Sequence, residues 1–215
     1  MINVYCVLVK PKYSIEHVEN LYDQVRKYLT HDFKMTCLTD TDWKTDRPIE
    51  FFDVTPFELD TWWNKVLLFN REVCSPGINL YFDLDTLISK NIDFLVEDVQ
   101  QGVLKVVDTV WKDDRWWKAV EKLDHKHKER FFCNGNSSVM GWVGGSHHYL
   151  YEMLMKDIFK HTTEHFGDDT FINKYGRVMY FRKKIMTTAA RNHVRLEDER
   201  ILIHYRTIPT SLEPK

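Results

Sequence analysis

The 215-residue sequence predicts an α/β protein, a mixed but mainly parallel sheet flanked by helices, in a single domain over residues 1–215. Three observations lead to that class. Short apolar, β-branched runs alternate with segments of helical period, as repeated βαβ units require. The period changes from strand to helix within short polar loops. One apolar run, Leu80-Tyr81-Phe82-Asp83-Leu84-Asp85-Thr86-Leu87-Ile88, carries two carboxylates at its end, where a buried strand would leave a sheet.

In chain order, residues 2–9 are apolar and β-branched and predict the first strand. Ser14 is placed to cap a helix carrying Ile15, Val18, Leu21, Tyr22, Val25 and Leu29 on one face. Phe33 to Leu38 and Ile49 to Val54 predict two more strands, and Leu59 to Phe69 a helix whose Trp62, Val66 and Phe69 share a stripe. After the Asp83 strand come a polar turn, a strand from Val103 to Val110, an aromatic helix around Trp116-Trp117, and a solvated charged loop over residues 124–130. Asn136 to Val143 then predicts a strand, His148 to Phe166 one helix, and Ile201 to Tyr205 a last strand.

Hydrophobic residues make up 43% of the chain, enough for a sizeable core, and no apolar run approaches the roughly 20 residues of a membrane span. The N-terminus begins as a strand with no basic segment before it, so neither a secretory signal nor a membrane span is expected. Cys6, Cys37, Cys74 and Cys133 are widely spaced among apolar neighbours, as reduced thiols are, which suggests a cytoplasmic setting. A net charge of -2 gives no global attraction to nucleic acid or anionic lipid, and Arg182-Lys183-Lys184 is expected on a solvated face.

Asp83 and Asp85 are spaced to point the same way on an extended strand, so both can reach one hard cation, magnesium or manganese. A strand end whose aspartates face water and cap the next turn is the alternative, and the segment alone leaves both open. In open α/β sheets ligands sit beyond the carboxyl ends of the strands, where the loop after the first strand, the aspartate pair and the Asn136 turn all fall.

Taken in order along most of the chain, these segments resemble the metal-dependent GT-A (Rossmann-like) glycosyltransferases, and within them the glycogenin-like branch that uses nucleotide-diphosphate sugars. Asp83-Leu84-Asp85 is similar to that family's Asp-x-Asp motif, which holds Mn2+ or Mg2+ against the donor diphosphate. His204 falls where the family's C-terminal strand supplies a further metal ligand. Tyr13 matches the aromatic that stacks on the nucleotide base, and Lys65 the lysine that reaches toward the donor phosphates or sugar. Asn136-Ser137-Ser138 resembles an Asn-Ser-Gly segment that contacts the donor sugar, and Gly167-Asp168-Asp169 a Gly-Asp-Gln segment, which places Asp168 and Asp169 near the reacting centre.

There are departures. Ser138 stands where the family has Gly, Asp169 stands where it has Gln, and Arg206 is a substitute cation in a tail that lacks the family's Gly-x-x-Lys-Pro-Trp clamp. The resemblance implies transfer of a sugar, from UDP by preference, to an acceptor that is a protein, a glycan or a modified nucleic acid. Configuration is retained if the glycogenin-like likeness extends to mechanism, and an inverting transfer would need Asp168 or Asp169 to deprotonate the acceptor.

Two other enzyme patterns are present. Phe82-Asp83-Leu84-Asp85-Thr86 resembles the nucleophile motif of haloacid-dehalogenase-like phosphatases, without its Gly and after two βα units instead of one strand. His161-Thr162-Thr163-Glu164-His165 reads as a His-x-x-Glu-His metal pattern, which histidine-rich helical faces also produce by chance. A noncatalytic sugar-nucleotide-binding domain is the reading from outside the enzymes. The tryptophans are expected in core and rim packing.

Overall fold

The computed structural model describes residues 1–109, 118, 121–122, 133–183, 185–187 and 200–203. Four strands, β1 (Ile2–Leu8), β2 (Phe33–Thr39), β3 (Ile49–Asp53) and β4 (Ile78–Phe82), run parallel in the spatial order β3-β2-β1-β4. The sheet continues through β7 (Gly135–Val143), antiparallel to β4, then β6 (Leu104–Asp108), antiparallel to β7, and β8 (Val178–Tyr180), parallel to β6. A smaller sheet joins β5 (Leu87–Ile88), β10 (Ile201–Ile203) and β9 (Met186–Thr187) in the order β5-β10-β9.

The alternating period of β1 decides how the layers form. Ile2, Val4, Cys6 and Leu8 face one core layer, under helix α1 (Ile15–Tyr28) and helix α2 (Asp93–Asp98). Tyr5 and Val7 face the other, under a 3₁₀ helix (Thr61–Phe69), helix α3 (His148–Lys156) and helix α5 (Asp168–Tyr175). Ile88, Ile201 and Ile203 belong to the first layer, so the small sheet shares the core of the large one. Ser14 precedes α1 with extended backbone, and its N–H donates to His17 Nδ1 at 3.2 Å, closing the helix entrance.

Several expected elements change form. Leu59 to Phe69 is a 3₁₀ helix in place of an α-helix, and the proposed stripe does not exist: Trp62 is exposed while every residue from Trp63 to Phe69 is buried. A segment buried this fully carries no amphipathic signal, and tertiary packing against the sheet and α3 overrides its helical period. The single helix expected from His148 to Phe166 is two, α3 and α4 (Ile158–Glu164). Asp157 divides them, with its side chain accepting from the Lys160 N–H at 3.0 Å and so starting a new helix.

Arg182 is also not simply solvated, because its backbone N–H donates to the buried Asp98 carboxylate at 2.6 Å and its guanidinium pairs with the same group. Short elements that pair only through tertiary contacts, α2, β8 and β9, had no counterpart in the sequence pattern. The Trp116-Trp117 helix and the loop over residues 124–130 lie outside the described residues. All four cysteines are free thiols, and no helix among the described residues is long and apolar enough to cross a membrane.

Gly144 closes the β4–β7 pairing, with its N–H donating to Gly77 O at 2.8 Å, and a Cβ there would sit 2.1 Å from the Ser75 carbonyl oxygen. Gly144→Ala is expected to cost about 1–3 kcal/mol, because backbone on both sides must shift. Urea unfolding measures this, and a loss below about 0.5 kcal/mol would show the close approach to be unimportant.

Candidate active site at the ends of β4 and β7

Parallel β1 and β4 end at the same edge of the sheet, and β7, running the other way, begins there. Asp83 and Asp85 after β4 and Asn136 and Ser137 at the start of β7 are therefore neighbours through strand direction alone. The ladder carries on past β4, the Asp83 N–H donating to Ser138 O at 2.8 Å. The aspartates themselves are not on an extended strand: β4 stops at Phe82, and the Thr86 N–H returns to Asp83 O at 3.1 Å in a turn. The expectation that both carboxylates point the same way through strand alternation is thus corrected, because the turn gives each its own partners.

Asp83 faces the 3₁₀ helix. Lys65 Nζ lies 3.0 Å from Asp83 Oδ1 and 3.5 Å from Asp168 Oδ2, and donates to Ser137 Oγ at 3.1 Å. The Tyr81 hydroxyl donates to Asp83 Oδ1 at 2.6 Å, and Ser137 Oγ donates to Asp168 Oδ2 in a short contact. Burial alone would lower the Lys65 ammonium, but the charges of Asp168, Asp83 and Asp169 hold it above the usual lysine range. Burial alone would raise Asp83, yet Lys65 and hydrogen bonds from Tyr81, Lys65 and Ser138 keep it below the usual carboxylate range. Asp168 goes the other way: burial pushes it up to about 7, against the attraction of Lys65 and helped by the Asp169 charge. One ammonium is thus shared among carboxylates that it cannot all neutralise.

The helix that supplies Lys65 is anchored by Asn64, whose Nδ2 donates to Leu59 O at 2.8 Å and Thr61 O at 3.0 Å. These bonds hold Thr61 at φ 43°, a left-handed conformation that a β-branched residue rarely adopts. Asp169 is a clamp. Its Oδ1 accepts from the Ser137 N–H at 2.6 Å and its Oδ2 from Asn136 Nδ2 at 3.0 Å, and Asn173 Nδ2 ties Asp169 O (2.8 Å) to Gly135 O (3.1 Å). The start of α5 is thereby pinned to the start of β7, which delivers Asp168 to Lys65.

Asp85 turns toward the loop after β1. Its Oδ2 accepts from the Tyr13 hydroxyl at 2.9 Å, with Lys12 Nζ at 3.6 Å. Tyr13 packs edge-on against His17, with ring centroids 5.1 Å apart, and burial and the Asp85 charge raise its phenol above the ordinary range. Asp85 Oδ1 is buried with no hydrogen-bond partner. An orphaned buried carboxylate oxygen, two residues along a turn from a second carboxylate, is a hard, anionic donor that fits a divalent cation. Beyond Asp85, β10 pairs antiparallel with β5, Leu202 opposite Leu87, so β10 runs toward the Asp85 turn and ends at Ile203. His204 and Arg206 lie outside the described residues.

Tyr81 and Asn173 were not singled out by the sequence. Tyr81 carries a signal in hindsight, since it stands two residues before Asp83 on a strand of period two; Asn173 carries none. The phosphatase pattern's expected place at the end of the first strand is not met, because Asp83 follows the fourth strand in chain order.

No protein-family model matches this chain, and no curated protein matches it in sequence. Solved structures do match in fold. A galactosyltransferase, LgtC, in complex with donor and acceptor sugar analogues superposes with a TM-score of 0.63 at 10% identity, covering 94% of this chain and 86% of that one. An active-site mutant of LgtC gives a TM-score of 0.61 at 12% identity over the same shares. The fold is that of the GT-A glycosyltransferases.

Removing the shared cation should be costly. Lys65→Met leaves Asp83, Asp168 and Asp169 facing one another and is expected to destabilise the protein by about 3–5 kcal/mol at neutral pH. Adding Asp168→Asn should recover a large part of that loss. Urea unfolding of both variants measures it, and strict additivity of the two changes would contradict the shared-ammonium arrangement.

Proposed function

We propose that this protein is a metal-dependent glycosyltransferase that moves a sugar from a nucleotide-diphosphate donor, by preference a UDP-sugar, to an acceptor, with retention of configuration as in the glycogenin-like branch. One observation carries the reading. On a GT-A sheet, at the edge where β1 and β4 end and β7 begins, a buried lysine gathers Asp83, Ser137 and Asp168 while Asp85 Oδ1 is left buried without a partner.

Asp83 and Asp85 hold the Mn2+ or Mg2+ in this proposal, with His204 as a further ligand; the antiparallel run of β10 toward Asp85 supports that assignment. The ion supplies charge stabilisation for the diphosphate that leaves when the anomeric C–O bond breaks. The chain's own residues do the rest. Tyr13 stacks on the base, and its hydroxyl orients Asp85. Lys65 keeps Asp83 ionised and adds positive charge on the phosphate side, with Arg206 as a second cation. Asn136 and Ser137, set in place by Asp169, bind the donor sugar, and Asp168 lies beside the reacting centre. With Asp169 engaged through both carboxylate oxygens, Asp168 is the better placed of the two acidic residues to contact the substrate.

The test is release of nucleotide diphosphate from UDP-, GDP-, CDP- and dTDP-sugars with manganese, with magnesium and with a chelator. Release from one donor that the chelator abolishes is expected, and Asp85→Ala should lower it by at least about a hundredfold. Chelator-insensitive release, or full turnover by Asp85→Ala, would overturn the proposal.

A further inference from the structure

The donor site does not use His161-Thr162-Thr163-Glu164-His165. His161 and Glu164 lie on α4 and His165 ends it, its N–H donating to His161 O at 3.1 Å, so the i, i+3, i+4 spacing sets all three on one face. One ligand atom from each falls within 4.8 Å of the others. The histidines are 6% and 2% exposed, whereas Glu164 is exposed. His161 Nδ1 and both ring nitrogens of His165 are buried with no hydrogen-bond partner.

Aromatic packing explains the rings but not their nitrogens. The imidazoles are stacked at 6.2 Å with 19° between planes, and Phe171 and Tyr175 of α5 present edges to both at 5.2–5.7 Å. Phenylalanine would satisfy those contacts equally well. A buried nitrogen without a partner is costly, and here several share one cluster, opposite a carboxylate that reaches solvent. A bound cation accepts one lone pair from each ring and removes that part of the cost.

We propose that His161, Glu164 and His165 form a second metal site, separate from the Asp83–Asp85 turn and independent of the donor-site reading, for a transition ion of the zinc class. Two imidazoles and one carboxylate are the donors such ions prefer over magnesium, and water on the Glu164 side completes a tetrahedron. The ion ties the end of α4 to α5 through the imidazoles that pack on Phe171 and Tyr175. Asp168 begins that same helix, three residues after His165, so the ion stiffens the element that presents Asp168 to Lys65.

The test is titration of the chelator-stripped full chain with Zn2+, and with Co2+ for its visible spectrum. One equivalent is expected to bind with a rise in melting temperature, and Co2+ should show the intense bands of tetrahedral coordination. Asp85→Ala should leave both signals intact. Glu164→Gln should weaken Zn2+ on the order of tenfold or more, and His165→Phe should abolish binding and the tetrahedral spectrum while keeping the metal-free melting temperature at or above that of the unmodified chain. Absence of Zn2+ binding, or equal binding by the unmodified chain, Glu164→Gln and His165→Phe, would overturn the proposal.

Discussion

The ammonium of Lys65, buried beside Asp83 and Asp168, is the interaction on which the site depends. A lysine removed from water is costly unless its charge is compensated, and the carboxylates beside it bear a desolvation cost of their own that their attraction to the ammonium offsets. Asp83 comes from the strand end, Asp168 from a helix start, Ser137 from the neighbouring strand and Lys65 from a 3₁₀ helix across the sheet face. Moving any of these elements would strand a buried charge. The electrostatics of the centre and the geometry of the fold therefore constrain each other, and Asp169, which acts on Lys65 through its charge, also fixes α5 against β7.

The two aspartates of the Asp83–Asp85 turn divide the work. Asp83 is bound into the protein by Lys65 and Tyr81, while Asp85 meets the loop after β1 through Tyr13 and keeps one oxygen without a partner. That asymmetry suits a site that must be rigid before a ligand arrives and still offer a donor to it. The direction of β7 completes the arrangement, because an antiparallel strand brings its first residues to the edge where the parallel strands end.

Much of this was legible in the sequence. The apolar, β-branched run of β1, buried on both faces, reads as a strand from composition, and α1 from its one apolar face. The signal failed from Trp63 to Phe69, where Asn64 and Lys65 are buried along with their apolar neighbours, so the polar and apolar positions do not mark an outer and an inner face. It failed again at Asp157, a residue type equally at home inside a polar helix face and at a helix start. Strand-end reasoning placed Asp83, Asn136 and Ser137 at one end of the fold, the family resemblance added Lys65 and Asp168, and the structure brings all five within one hydrogen-bonded network. Side-chain partners were beyond its reach: that Asp169 grips Ser137 and Asn136, or that Tyr13 touches Asp85, depends on contacts across 33 or 72 residues of chain.

The most direct test of this account is anomalous diffraction at the manganese edge from crystals grown with manganese and a nucleotide diphosphate. A strong peak bonded to Asp85 Oδ1 and to the Asp83 carboxylate is the expected result. A nucleotide bound elsewhere, or manganese absent from the Asp83–Asp85 turn, would contradict it.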